Sequence, residues 1–455
     1  MQNRREHTGG LFAVSLILLA SGLGAIDIRT VGATPGEDRF PSAVRTTGNP
    51  EETRIIVAFE YELSETDHDI YLAWSANDGR DWNIRQGATA KDDERYPRLA
   101  MGVGDTVHLV YQATDTLGWI YASAYNFSWV KTSWASTWSK GCQHPDVACD
   151  PVTNTIWFVM EKGSGQNHNI TACHMDGVAR TYDTVKVAND AKDELYPVVA
   201  CDMNNVLVLY EYHDGTDVDV RGATSKTTTA GFTAVEISQT LEDEFHPEVV
   251  STNKGFEYVF QTGDSLYYGY SASGTSHEIH PVAAVSGDVA PSIDADGLSA
   301  DIVIRKDSIT LSHFRVEGQD PLTVKQASAK VPGISSGARQ VQVVTKGDSA
   351  FCIWSGSPGI GSSNIYGTWW SKENPFAVAE RLNPDYDPEL VVTPIFSGAE
   401  CVISFIPATE GHADLGIFDA SGARVRTLLS KRVLPAYFTL TWDGRDEKGI
   451  SLPEG

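Results

Sequence analysis

The chain has 455 residues and a formal charge of −25, from 35 basic and 60 acidic side chains. A nucleic-acid surface needs a basic stripe, and none is present, so that class of partner is excluded. Glycine (40) and proline (20) suit the turns of an all-β chain, and 41% apolar content is enough to bury several layers.

The first 25 residues read as a signal peptide. Arg4 and Arg5 precede an apolar run from Leu11 to Leu19, and small residues such as Ala20, Ser21, Gly22 and Ala25 follow. That run falls short of the roughly 20 residues a membrane span needs, and no later segment of the mature chain reaches it. The expected location is therefore outside the cell or on its surface. Residues 26–36 read as a linker.

A repeat then begins. It reads Glu37-Asp38-Arg39-Phe40-Pro41, Asp93-Glu94-Arg95-Tyr96-Pro97, Asp193-Glu194-Leu195-Tyr196-Pro197 and Asp243-Glu244-Phe245-His246-Pro247. Degenerate copies end in Gln143-His144-Pro145 and Asp288-Val289-Ala290-Pro291, and successive prolines lie 56, 48, 52, 50 and 44 residues apart. A strand-built repeat of about 50 residues marks a β-propeller, one blade per copy. About a dozen residues after each proline comes an apolar strand, from Ile55-Ile56-Val57 in the first copy to Phe351-Cys352-Ile353 in the last. Those strands number seven, and by offset Gln340 stands where the seventh proline would be. The expected architecture is a seven-bladed propeller over 37–384, with six blades as the alternative. Ala377-Val-Ala-Glu380 is the expected outermost strand of the last blade.

Six cysteines permit disulfides in an exported chain. Cys149 and Cys201 occupy one repeat position, which favours a small buried residue over a bonded pair. A linker at 385–396 separates the propeller from a second β unit at 397–455.

Two resemblances follow. Ile403-Ser404-Phe405, Gly416-Ile417-Phe418-Asp419, Val425-Arg426-Thr427-Leu428 and Trp442-Asp443-Gly444 resemble the Ig-like sandwich of the flagellar hook-capping type and the related sorting domains of type IX secretion. The family's final strand is missing after Gly455. This resemblance implies an appendage for attachment or for contact with export machinery. Ser75-Ala-Asn77-Asp78-Gly79-Arg-Asp-Trp82 resembles the Asp-box of the BNR-repeat, sialidase-like propellers, with Asn77 where the family has Asp. There Ser75, Asn77, Asp78, Gly79 and Trp82 would be structural, tying a hairpin between outer strands. Sialidase chemistry would need three arginines around a carboxylate with a Tyr–Glu pair. Arg98, Arg221, Arg305 and Arg339 are available, and spacing does not select among them.

The acids three residues before each proline, Asp38, Glu94, Glu194, Glu244 and Asp288, would form a broken ring on the channel face and contact a ligand. No cofactor is implied, although Ca²⁺ is the hard cation such a ring would suit. The preferred reading has these acids accept backbone N–H bonds in every blade while the aromatic before proline packs. Unique sites break repeat symmetry, and the breaks expected to matter are Cys142 and the 355–363 loop. Trp119, Trp129, Trp134, Trp138, Trp369 and Trp370 are candidates for stacking on sugars. The functional expectation is a module binding an extracellular glycan or protein, with a sialidase-like glycosidase as the alternative; no catalytic or metal-binding residue is assigned.

Overall fold

The computed structural model describes residues 16–18 and 28–371, apart from 35, 47–52, 89–92, 126–129, 133–139, 164–166, 177–181, 228–230, 239–241, 319–321, 332, 338 and 358–362. It further describes 391–394, 401–405, 411–418, 424–433, 438–442 and 445–449. The cleavage region, Ala377–Glu380, most of the 385–396 linker, Asp443-Gly444 and Trp129, Trp134 and Trp138 lie outside the described residues.

Seven antiparallel sheets form a closed propeller, and no helix occurs among the described residues. The innermost strands are Glu37–Arg45, Glu94–Gly102, Cys142–Cys149, Asp193–Cys201, Glu244–Thr252, Ser292–Ala295 and Val341–Lys346. Each neighbouring pair of blades encloses its own apolar cluster, one per interface, including the seam between blades 7 and 1. Alternation alone does not explain second strands such as Ile55–Ser64, whose first six residues are all buried. They lie between sheets packed on both faces, so a continuous apolar run is required there.

The ring closes with a strand the sequence reading assigned to a linker. Arg29–Gly32 is the outermost strand of blade 7, paired with Asn364–Ser371. Val31 is buried with Phe59 and Ile365, and a Cβ on Gly32 would sit 2.7 Å from the Phe59 ring. A propeller whose last blade ended at Asn364–Ser371 would expose an unpaired edge, and the N-terminal segment covers it.

The hairpin at 75–82 lies against the same seam. Ser75 Oγ accepts from Gly79 N at 2.8 Å, Asn77 Oδ1 accepts from Asp81 N at 2.9 Å, and Trp82 Nε1 donates to Gly79 O at 3.0 Å. Trp82 stacks on Phe351 of blade 7, and Trp369 Nε1 donates to Asp78 O at 2.8 Å. The hairpin thereby grips the last blade as well as ordering its own turn.

The acidic pairs Asp193-Glu194 and Asp243-Glu244 are buckles between blades. His168 N donates to Asp193 at 2.9 Å and Val218 N to Asp243 at 3.0 Å, at the start of the third strand in the preceding blade. Two residues further along that strand, Val220 N donates to Glu244 at 3.1 Å. Asp38 accepts from Thr34 N and Thr34 Oγ1 at 3.1 and 2.6 Å. Asp38, Glu94, Glu194 and Glu244 are at most 1% exposed, so they form no open ring at a channel mouth. Asp288 differs: it is about half exposed and accepts from His246 Nε2 at 3.0 Å.

Burial pushes the Asp38 and Glu194 carboxyls up to about 7, against the hydrogen bonds they accept. Between the unfolded carboxyl range near 4 and that value, the native state holds protons the unfolded chain has lost, so stability falls as pH rises. Asp38→Asn, which mimics the protonated acid, is expected to come close to the wild type at about pH 4 and exceed it at pH 8 by on the order of 1–3 kcal/mol. Urea midpoints at the two pH values check this; a variant whose advantage does not grow between them contradicts it. Burial lowers His108 to about 4, which works in the opposite sense. Its share of stability is lost as pH falls from the unfolded histidine range through that value.

Cys142, Cys149, Cys173, Cys201 and Cys352 are free thiols. Beyond the propeller, Val391–Pro394, Cys401–Phe405 and Phe438–Trp442 pair in one sheet, and Gly411–Phe418 pairs with Arg424–Val433.

Candidate functional site

The residue before each repeat proline has left-handed backbone. Phe40, Tyr96, His144, Tyr196, His246 and Ala290 have φ between 39° and 56°, and Arg339, before Gln340, has φ 58°. Seven non-glycine residues in this region carry strain, and seven in register mark a common device. In the first five blades the residue sits in a bulge of the innermost strand.

A side chain from the preceding blade stabilises each turn where the bond is present. Tyr96 N donates to Glu60 at 3.2 Å, Tyr196 N to Glu161 at 2.6 Å and His246 N to Glu211 at 2.9 Å. Gln340 Oε1 accepts from Phe40 N at 3.5 Å, which carries the pattern across the seam. The sequence reading missed Glu60, Glu161 and Glu211. Their signal was present: Phe59-Glu60, Tyr111-Gln112, Met160-Glu161, Tyr210-Glu211 and Phe260-Gln261 each end the apolar second strand with a polar residue.

The bulges turn these side chains toward one another around the propeller axis. Ring centroids of Phe40 and Tyr96 are 5.0 Å apart, those of Tyr96 and His144 4.7 Å, and those of His144 and Tyr196 4.7 Å. His144 Nδ1 is 2.8 Å from Glu161 Oε1. His246 lies between Asp288 and Glu211; burial opposes its protonation, but the Asp288 hydrogen bond and Glu211 outweigh it and raise its pKa.

The ring is filled on blades 1 to 5 and breaks at Ala290. There a notch opens, with a volume of about 10 Å³, between Tyr196, His246, Ala290 and Arg339. That is room for one water-sized group. Arg339 is 12% exposed, donates from Nη2 to Pro197 O at 3.2 Å and has its Nε 3.8 Å from Glu248. Its Nη1 is buried and has no hydrogen-bond partner among the described residues. A buried guanidinium donor left unmatched favours an oxygen acceptor in the notch.

Beneath the ring Arg98 fills the axis. It donates to Asp146 at 2.8 Å and, through two nitrogens, to Glu248 at 3.2 and 2.7 Å, joining blades 2, 3 and 5. Burial works against its charge, but the two carboxylates more than offset that and raise its pKa.

Of the two expected symmetry breaks, the first is not a site. Cys142 is 1% exposed with its sulfur 3.2 Å from that of Met160, so it is core, and burial holds its thiol near 12. In the other, residues 358–362 lie outside the described residues. The informative exceptions are Ala290 and Arg339. Trp119 and Trp370 are 2% and 1% exposed and pack between blades, unavailable for stacking on a sugar. Arg221 is spent on Asp219, Asp190 and the Tyr212 ring. Among the described residues, no group of three or more His, Cys, Asp or Glu is placed to hold a metal.

No family model matches this sequence, and no curated protein matches it. Solved structures do match. The chain is similar to the polysaccharide lyase Uly1, with 10% identity and TM-score 0.50, covering 77% of this chain and 100% of that one. It is similar to an α-L-arabinofuranosidase from Fusarium graminearum, with 12% identity and TM-score 0.47, covering 77% and 99%. A Hadza microbial sialidase matches at 11% identity and TM-score 0.42, covering 74% and 66%. At 10% identity the likeness to Uly1 shows the fold and no more.

Proposed function

We propose that the propeller binds an acidic glycan on the face formed by the axial ring. The observation that carries this reading is the notch at Ala290, where the unmatched Nη1 of Arg339 meets a platform of left-handed aromatic residues. A carboxylate or sulfate oxygen enters the notch and accepts from Arg339. The attached sugar then lies across Tyr96, His144 and Tyr196, whose rings supply stacking area at low entropic cost. Solved propellers of similar fold include carbohydrate-acting proteins, which supports a glycan as the ligand class.

Binding is favoured over sialidase chemistry because Arg98 is buried in an ion cluster and Arg221 is paired; Arg339 lines the notch, and Arg305 acts on Asp288 beside it. A second reading, glycosidic turnover, rests on the His144–Glu161 bond beside Tyr196, a pair suited to proton transfer. Export and attachment belong to the same proposal, supported by Arg4, Arg5 and the apolar run after them, and by the C-terminal resemblance. The test is a panel of uronate-containing, sulfated, sialylated and neutral oligosaccharides, read for binding and for released product. Retention of acidic members without product supports a binding module. Product from any member supports the catalytic reading, and indifference to charge contradicts both.

A further inference from the structure

The axial channel does not run through. Arg98, Asp146 and Glu248 close it beneath the aromatic ring, and on the far side a cavity of about 460 Å³ opens at the opposite face. That volume falls in the range of small-molecule sites, and nothing in the axial ring lines it. Its wall is two-sided. Val147, Val199 and Val249 make an apolar side, while Arg45, Asp294 and Thr345 make a polar one. The polar side is pre-organised: Arg45 Nε donates to Thr345 O at 2.9 Å, and Thr345 N donates to Asp294 Oδ2 at 2.7 Å. Arg45 Nη1 is also directed at the backbone, 3.4 Å from Thr46 O. At the tips of the hairpins on this face, Val103, Val152, Met203 and Leu298 are 45%, 63%, 51% and 78% exposed. They carry the apolar surface out around the mouth.

We propose that this cavity is a second binding site, for a small amphipathic amine whose alkyl or aryl body lies on the valine wall and whose ammonium pairs with Asp294. The arrangement favours a cation over an anion. Arg45 is directed at backbone carbonyls, whereas Asp294 lines the cavity half-buried, and a carboxylate partly shielded from water is stabilised by a paired ammonium. Burial pushes the Asp294 carboxyl up to about 7 against the backbone hydrogen bonds it accepts and the nearby Arg45 charge, so a cationic ligand further favours its charged form. The overall charge of −25 raises the local concentration of such cations.

The test uses the full chain with n-octylamine as probe and octanoate and 1-octanol as controls, read by calorimetry and thermal shift. Octylamine is expected to raise the melting temperature and to bind at least about tenfold more tightly than either control. Asp294→Asn is expected to remove that preference while leaving 1-octanol unchanged. A measurement on the unaltered chain guards against a variant that fails to fold. Cys149 lines the cavity, so octylamine should slow its reaction with methyl methanethiosulfonate. Octanoate binding as tightly as octylamine, or octylamine leaving the Cys149 rate unchanged, overturns the proposal.

Discussion

Replacing Arg98 by methionine is expected to destabilise the propeller by about 3–5 kcal/mol, because removing one member of a buried ion cluster strands its partners. Asp146 and Glu248 are 5% and 8% exposed, and both direct oxygens at the Arg98 guanidinium. Asp146 also accepts from Val199 N at 2.9 Å, so its second oxygen holds the innermost strand of blade 4. The loss is a large part of the roughly 5–15 kcal/mol by which a domain is stable. Chemical denaturation midpoints and melting temperature measure it. The combination of Arg98→Met with Asp146→Asn should recover part of the loss, since one stranded charge is then gone and Glu248 keeps Arg339 beside it. An Arg98→Met protein within about 1 kcal/mol of the wild type would show the cluster to be dispensable.

The second large effect concerns ring closure. Val31→Asp places a carboxylate among Ile55, Phe59, Phe351 and Ile365, at a position with no exposed surface. The expected cost is several kcal/mol, since neither a partner charge nor water is available there. Removing residues 28–33 altogether should do more, freeing the edge of Asn364–Ser371 and producing oligomers by edge pairing. Size-exclusion chromatography and thermal melts distinguish the two outcomes. A monomeric deletion variant with unchanged melting temperature would mean that the strand does not close the ring.

The blade count was legible because the repeat states it. Each proline announces an innermost strand, and even the seventh start at Gln340, which lacks the proline, keeps the left-handed residue before it. The closing strand was not legible, because Arg29–Gly32 is short and its partner lies more than 330 residues away; no local pattern records such a pairing. The acidic pair was legible as a ruler but not as a buckle. Sequence offset places Glu194 and Glu244 along the chain, whereas the N–H groups of the preceding blade decide where their carboxylates point. The notch was legible in principle. Aligning Arg339-Gln340 with Tyr196-Pro197 puts an arginine in the aromatic slot, and Ala290 is the one small residue in that series. Attention to the acids drew the reading away from the residue that follows them.

The most direct test of the account is calorimetric titration of an acidic oligosaccharide, retained in the panel above, against the wild type, Arg339→Gln and Arg339→Lys. The account predicts that Arg339→Gln weakens binding by about tenfold or more, the usual scale for a lost charged hydrogen bond at a desolvated site. Arg339→Lys should recover part of that loss, and a neutral analogue of the same oligosaccharide should bind weakly and equally to all three proteins. Equal affinity of wild type and a folded Arg339→Gln for the acidic ligand would contradict the assignment of the notch.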